Sequence, residues 1–282
     1  MTYAEAYEKG KNILTEAGIA EAGLEARLLL EHVCGTGRND LLVHGDRLVE
    51  DVQCSSYEQL LTGRADRIPL QYLTGCQEFM GLNFAADRHV LIPRQDTEIL
   101  VEEVLKNLHD GMEILDMCTG SGCILISLLR YSNDCAGLGV DISGGALRVA
   151  EKNAQNILSG FSGKVRFLES DLFENVEEMF DVIVSNPPYI PAGDMEGLMP
   201  EVRDYEPRIA LDGGEDGLVF YRKILEGSRS HLKKGGMLFF EIGYDQGRAV
   251  SKMMRETGFL DVQVRKDYAG LDRVVFGTRS FA

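Results

Sequence analysis

The chain has 282 residues, 44% hydrophobic and 26% charged, the balance of a soluble globular protein with length for one large domain or a large domain with a small companion. Its 29 basic and 45 acidic side chains leave a net charge of −16, which excludes a surface built mainly to neutralise nucleic-acid phosphates but leaves room for a local basic groove. No run of about 18 apolar residues occurs, and the N-terminus MTYAEAYEKG lacks a basic segment followed by an apolar core, so a cytoplasmic protein without a membrane span is expected.

The first 75 residues read as helical. Glu21 to Val33 (EAGLEARLLLEHV) carries apolar residues at three-to-four spacing, with Leu28, Leu29 and Val33 as bundle core, and CGTGRND breaks it. Seven basic against twelve acidic residues over Met1 to Gly75 leave a net of −5, so a small interaction bundle fits better than a nucleic-acid clamp. Gln71 to Phe84 (QYLTGCQEFMGLNF) interleaves aromatics and glycines without helical period, as a linker or short hairpin does. The expected division is a helical docking domain over 1–75, a linker or hairpin over 76–97, and an α/β domain over 98–282.

In that last region apolar strands are predicted at Met112 to Asp116, Ala136 to Asp141, Val165 to Glu169, Asp181 to Ser185 and Met237 to Ile242, separated by segments of helix length. Continuous apolar strands joined by helices imply a parallel sheet covered on both faces. Leu260 to Lys266 and Arg273 to Gly277, joined by the short loop DYAGLD, predict an antiparallel hairpin at the sheet's edge. The expected fold class is therefore α/β, a Rossmann-like sheet finishing in a hairpin, which is the arrangement of a class I nucleoside-cofactor methyltransferase rather than of a dinucleotide dehydrogenase.

After the first of these strands, Cys118-Thr119-Gly120-Ser121-Gly122 forms a glycine-rich turn that lets the backbone approach a ligand at a helix N-terminus. The second ends in Asp141, about 20 residues on, where a carboxylate grips a ribose diol. Its competing reading is a helix N-cap, a role for which Ser143 is the rival. The turn lacks the G-x-G-x-x-G of a pyrophosphate site. With Asp116 beside it and no second nucleotide-binding half, it fits S-adenosylmethionine, whose sulfonium and ammonium are cationic. Asp171, after the third strand, is placed to accept from the adenine amino group while its apolar neighbour Leu172 covers the ring; the alternative is a loop acid with no ligand. No two of the six cysteines stand in a C-x-x-C pair and the five histidines are scattered, so no metal is expected.

The fourth strand runs into VIVSNPPY, Val182 to Tyr189. Ligands of open α/β sheets bind at such carboxyl ends. Pro187 and Pro188 fix their own φ angles and bias the preceding residue away from helix, so the Asn186 side chain and Pro187 carbonyl become a rigid pair of acceptors for a planar NH2 group. An amide nitrogen is a poor nucleophile because its lone pair is delocalised; two oriented acceptors favour the positive charge that builds on it during methyl transfer. Tyr189 is placed to stack on the planar group. A rigid strand-to-loop stop is the bland alternative.

Four strings together carry a resemblance: LIPRQDTE (Leu91 to Glu98), LDMCTGSG (Leu115 to Gly122), SNPPY (Ser185 to Tyr189) and YEPRIALDGGEDGL (Tyr205 to Leu218). From about residue 70 onward the chain resembles the bacterial protein-(glutamine-N5) methyltransferases that modify peptide chain release factors. NPPY alone also suits DNA adenine-N6 methyltransferases; the two longer strings narrow the likeness. It implies that Cys118 to Gly122, Asp141, Leu172 and Asn186 contact S-adenosylmethionine and that Asn186 to Tyr189 hold the glutamine of a Gly-Gly-Gln loop. It also implies that the helical N-terminal region docks the release factor, with neither DNA nor membrane as partner and a monomeric chain. Two positions depart from the family's pattern: Cys118 where glycine is frequent, and Gln95 in R-Q-D-T-E where the family has R-P-E-T-E. Three rivals stay open here: a DNA methyltransferase, which needs a basic target-recognition region not seen in this chain; a glutamine methyltransferase of a ribosomal protein; and a binding module without chemistry.

Overall fold

Helix α1 (Tyr3–Glu16) starts at a capping box in which the Thr2 hydroxyl accepts from the Glu5 N–H at 3.2 Å and the Glu5 carboxylate accepts from the Thr2 N–H at 2.8 Å. It is followed by α2 (Ala22–Cys34), α3 (Arg38–Val43), α4 (Asp51–Ala65) and α5 (Leu70–Thr74) in a computed structural model that describes residues 1–158 and 164–280. Ala6, Leu14, Ala26, Leu29, Leu30 and Tyr57 form the core of these helices. Val33 packs at its margin, whereas Leu28 is only half-buried. The Tyr57 hydroxyl donates to the Ala26 carbonyl at 3.0 Å and lies against Gly10, where any β-carbon would collide with it.

The QYLTGCQEFMGLNF stretch resolves into α5 and a hairpin of β1 (Cys76–Phe79) and β2 (Leu82–Ala85). Its turn residues Met80 and Gly81 both have positive φ, 52° and 69°, the geometry whose twist matches that of paired strands. Phe79 and Phe84 meet edge to face, 5.9 Å between centroids, and are fully buried in one core with Leu100 and Val101 of α6 (Gln95–Leu105).

The remaining elements alternate: β3 (Glu113–Met117), α7 (Cys123–Tyr131), β4 (Ala136–Asp141), α8 (Gly144–Ile157), β5 (Lys164–Glu169), β6 (Phe180–Ser185), α9 (Pro200–Tyr205), α10 (Val219–His231), β7 (Leu232–Glu241), α11 (Gly247–Glu256), β8 (Phe259–Lys266) and β9 (Asp272–Arg279). Among the described residues the strands form one sheet ordered β5-β4-β3-β6-β7-β9-β8, parallel through β7 and antiparallel in the β8–β9 hairpin. This is the Rossmann-like sheet with a terminal hairpin that the apolar runs predict. One connection differs: no helix joins β5 to β6, only turns over 170–179. Its Phe173 ring lies directly against Gly227 of α10 and stacks on His231 at 4.6 Å, so α10 occupies the face a crossover helix would cover.

Two compact units result, Met1–Gly75 with Met199–Tyr205, and Cys76–Leu198 with the remainder from Glu206. The segment carrying α9 is held within the first unit: Glu201 accepts from Arg64 and Arg67, each at 3.1 Å, and Arg64 also pairs with Glu25. No helix among the described residues is long and apolar enough to cross a membrane.

Candidate active site

In the second unit the chain leaves β3 toward β4 and β5, then crosses back to β6 on β3's other side. The loops after β3 and β6 therefore part in opposite directions and open a cleft between them, the place where sheets of this type bind ligands. The cleft has about 1140 Å³ of empty volume out to its mouth. Cys118, Thr119, Gly120, Ser121, Asp141, Asp171, Leu172, Asn186 and Pro188 line it. Three residues expected at the site do not: Gly122 is the N-cap of α7, Pro187 is buried, and Tyr189 packs at the margin of the core that holds Tyr221 and Phe240.

The glycine-rich turn is pinned from below. Thr119 donates from its hydroxyl to Asp116 Oδ2 at 2.6 Å, and the Leu125 N–H reaches the same oxygen at 3.3 Å. Asp141 accepts from the Gly120 N–H through one oxygen and from the Ser143 N–H through the other, both at 2.9 Å. Ser143, not Asp141, caps α8, with its hydroxyl accepting from the Ala146 N–H at 3.2 Å. At Gly120 (φ +55°) a β-carbon would meet nothing within 4 Å, so the backbone itself faces the cleft. Cys118 sits at φ +62° and Leu172 at +51°, left-handed conformations that cost a non-glycine residue roughly 1–3 kcal/mol and concentrate at functional sites. A glycine at position 118 would adopt that φ without strain. Gln95 is the exposed first residue of α6, the helical position at which proline is most at home.

The donor set discriminates between ligands. Asp116 Oδ1 is buried without a partner among the described residues, and Asp141 and Asp171 add two further carboxylates. A pyrophosphate would be repelled here, whereas a ligand with sulfonium and ammonium charges, a ribose diol and a planar ring finds acceptors and the apolar side chains of Val140, Ile142 and Leu172.

The β6 end is equally constrained. The Ser185 hydroxyl donates to the Met117 carbonyl at 2.6 Å, tying β6 to β3, and Asn186 Nδ2 donates to the Thr97 hydroxyl at 3.3 Å. Beyond the prolines, the Tyr189 carbonyl accepts from Gln246 Nε2 at 3.0 Å, and Ile190 exchanges backbone bonds with Leu211 and Gly213. Burial pushes the Tyr189 hydroxyl up to about 12, so it stays protonated at neutral pH.

Several participants carry little or no local signal in the sequence. Glu206 of YEPR is buried, accepts from the Ile92 N–H at 3.2 Å and pairs with Arg94, which joins two of the family strings 112 residues apart. Thr97 stands behind Asn186, and Glu241 ends β7 one residue past Phe240, the register partner of Ser185. An acid inside the apolar run MLFFEI was the available signal for Glu241.

Burial lifts both Asp116 and Glu241 to about 7, and desolvation also raises Asp141 and Glu206. The folded chain thus holds protons that unfolded carboxyls, titrating near about 4, have released; this contribution to stability is complete below about pH 4 and is lost as pH rises through about 7. The melting temperature of the ligand-free protein is expected to fall from pH 6 to pH 8, and less steeply in Asp116→Asn; a flat wild-type profile would mean these acids stay ionised.

Comparison with known proteins converges on the same chemistry. The family model described as the PrmC N-terminal domain matches residues 5–75, and that of the methyltransferase small domain matches residues 94–199. The chain is 43% identical to the release factor glutamine methyltransferase of Geobacter sulfurreducens, over 95% of this chain and 93% of that one. It is 40% identical to the release factor glutamine methyltransferase of Clostridium acetobutylicum over 99% of both. Among solved structures, a methyltransferase from Pyrococcus furiosus aligns with a TM-score of 0.54 at 18% identity, over 78% of this chain and 99% of that one, a likeness of fold alone. With the helical N-terminal region and the β3 and β6 loops all accounted for by the same relatives, the chain belongs to the release factor glutamine methyltransferase family.

Proposed function

We propose that the protein transfers a methyl group from S-adenosylmethionine to the side-chain amide nitrogen of a glutamine in a peptide chain release factor, the glutamine of its Gly-Gly-Gln loop. The observation that carries this reading is Asn186: it lies at the cleft beside the glycine-rich turn, at the end of a strand stiffened by Pro187 and Pro188, with its amide nitrogen turned to Thr97.

Bound in the cleft, S-adenosylmethionine supplies an electrophilic methyl on a sulfonium. Asp141 would hold the ribose hydroxyls, Asp171 would accept from the adenine amino group, Leu172 would cover the ring, and the Cys118 to Ser121 backbone would follow the methionine part. On the other side, the Asn186 Oδ1 and Pro187 carbonyl accept from the glutamine NH2, turn its lone pair toward the methyl and stabilise the positive charge that develops on nitrogen. A C–N bond forms as the C–S bond breaks, the nitrogen then sheds a proton, and S-adenosylhomocysteine leaves. Pro188 and Tyr189 shape the glutamine side of the site, with Tyr189 acting through its packing. The helical unit docks the release factor, and the protein works as a cytoplasmic monomer.

Peptide mass spectrometry of recombinant release factor incubated with the protein and S-adenosylmethionine, alongside duplex DNA and ribosomal protein, tests this reading. One added methyl on the glutamine of the Gly-Gly-Gln peptide is expected. Unmodified release factor with methylated DNA or ribosomal protein would overturn the substrate. For the cofactor half, Asp141→Ala is expected to weaken S-adenosylhomocysteine binding by about 10- to 100-fold in calorimetry, since hydrogen bonds to a charged group contribute about 1.5–3 kcal/mol. Unchanged affinity would remove Asp141 from the ribose site.

A further inference from the structure

We propose that Arg94, held by the buried carboxylate of Glu206, binds the substrate glutamine by donating to its side-chain carbonyl oxygen, with Glu206 as the positioning residue. The inference rests on the glutamine-methylation reading.

A glutamine amide brings two N–H donors and one carbonyl acceptor into the site. Asn186 and the Pro187 carbonyl meet the donors only. The carbonyl oxygen needs a donor from elsewhere in the cleft, because a polar group desolvated without a partner is costly. Among the described residues lining the cleft, the permanent cations are Arg94 and Lys223. Lys223 stands on α10 four residues before Gly227, against which the Phe173 ring lies, so it belongs to the side of Asp171 and Leu172 that this reading gives to the adenine. Arg94 stands on the Asn186 side. It is the N-cap of α6, its carbonyl accepts from the Thr97 N–H at 3.1 Å, and the Thr97 hydroxyl accepts from Asn186 Nδ2 at 3.3 Å.

Glu206 fixes this cation in place. Its side chain is 1% exposed, and one oxygen accepts from the Ile92 N–H at 3.2 Å while the other accepts from Arg94 Nη2, so the carboxylate grips the loop on both sides of Pro93. Pro93 and Arg94 line one stretch of the cleft, and Pro207 and Ile209, just past Glu206, line another. A mere tie between these loops would be best covered on both sides. The Arg94 side chain is instead 40% exposed at the cleft, and of its nitrogens only Nη2 is engaged by the protein among the described residues. A planar guanidinium pinned at one nitrogen presents its other donors in a set direction.

The chemistry assigns this contact to binding rather than to the transfer step. As the methyl arrives, the nitrogen lone pair leaves amide resonance and the carbonyl oxygen loses negative charge. A donor to that oxygen therefore acts mainly on the ground state, the reverse of the Asn186 effect.

The test combines kinetics of Arg94→Ala, Arg94→Lys and Glu206→Gln with calorimetric binding of release factor to the protein loaded with S-adenosylhomocysteine. Arg94→Ala is expected to raise KM for release factor about 10- to 100-fold with kcat within a few-fold of wild type and S-adenosylhomocysteine affinity unchanged. Against a release factor whose loop glutamine is replaced by alanine, wild type and Arg94→Ala are expected to bind alike, because the contact is absent from both. Arg94→Lys carries its charge on one nitrogen, which cannot serve Glu206 and the glutamine together, and is expected to keep the melting temperature but not the release-factor affinity. Glu206→Gln is expected to raise KM in the same direction; an unchanged KM removes its positioning role. Failure of the wild type to methylate release factor would overturn the glutamine reading. With that activity present, two results overturn this inference alone: an Arg94→Ala loss in S-adenosylhomocysteine affinity, which assigns the guanidinium to the cofactor's carboxylate, or a loss that persists against the glutamine-free release factor, which leaves the Arg94–Glu206 pair a tie between loops.

Discussion

Replacing Asn186 by alanine is expected to lower kcat by about 10²-fold or more while S-adenosylhomocysteine affinity changes only a fewfold, as for other oriented polar partners of a developing charge. The asymmetry follows from where the side chain stands. Asn186 is fixed on its nitrogen side by Thr97 and on its backbone side by two prolines, so its oxygen is held in place before substrate arrives. Cofactor contacts are spread over the β3 turn, Asp141 and the 170–172 segment, and most survive its loss. Asn186→Asp separates geometry from charge, because it keeps an oxygen but offers Thr97 no N–H. Its activity is expected to stay well below wild type. Stopped-flow or initial-rate kinetics with matched calorimetry decides: a kcat within twofold of wild type in Asn186→Ala would remove the acceptor role and leave the prolines as a mere strand stop.

How far the sequence discloses this site depends on whether the signal is local. The apolar runs mark the strands because parallel strands are buried on both faces, and the prolines mark the end of β6 because they cannot continue a ladder. The Cys118 to Gly122 turn and Asp141 are legible as a pair because both follow strands and stand at the spacing of adjacent loops. The Thr97–Asn186 contact spans 89 positions and Arg94–Glu206 spans 112; each exists only because the crossover places β6 beside β3 and brings the YEPR segment back against the IPR segment. No periodicity carries that information. Glu241 is a different omission: the MLFFEI run reads as apolar throughout only if its one acid is passed over. Likewise the β5–β6 crossover looks long enough for a helix, but Phe173 must turn inward beneath α10, which a continuous helix would prevent. Residues 199–205 are surrounded in sequence by the second unit and are assigned to the first only through long-range partners such as Arg64 and Arg67.

Gly217→Ala is the second substitution expected to have a large effect, on both activity and stability, although Gly217 does not line the cleft. It lies in the GGEDGL string with φ +70°, a conformation that costs a side-chain-bearing residue about 1–3 kcal/mol. A β-carbon there would also drive into the Tyr189 carbonyl and approach Gln246 Nε2 to 2.8 Å, and neither can easily yield. The Gln246 Nε2 bridges the Tyr189 and Gly217 carbonyls at 3.0 and 3.3 Å, and its Oε1 accepts from the Gly243 N–H at 3.0 Å and meets the Tyr221 hydroxyl at 3.3 Å. Displacing the Tyr189 carbonyl shifts the C-terminal side of the NPPY turn, and a misplacement of about 1 Å in a reacting geometry can cost on the order of 10²-fold in rate. The expected result is a kcat at least about tenfold below wild type with a lowered melting temperature, while S-adenosylhomocysteine affinity holds because the β3 turn is untouched. Gly193→Ala is the control: a β-carbon there meets nothing within 4 Å, and its effect on both measurements is expected to be small. If Gly217→Ala matches that control in rate and melting temperature, the turn tolerates movement at Tyr189, and the rigidity assigned to the acceptor pair must come from the prolines alone.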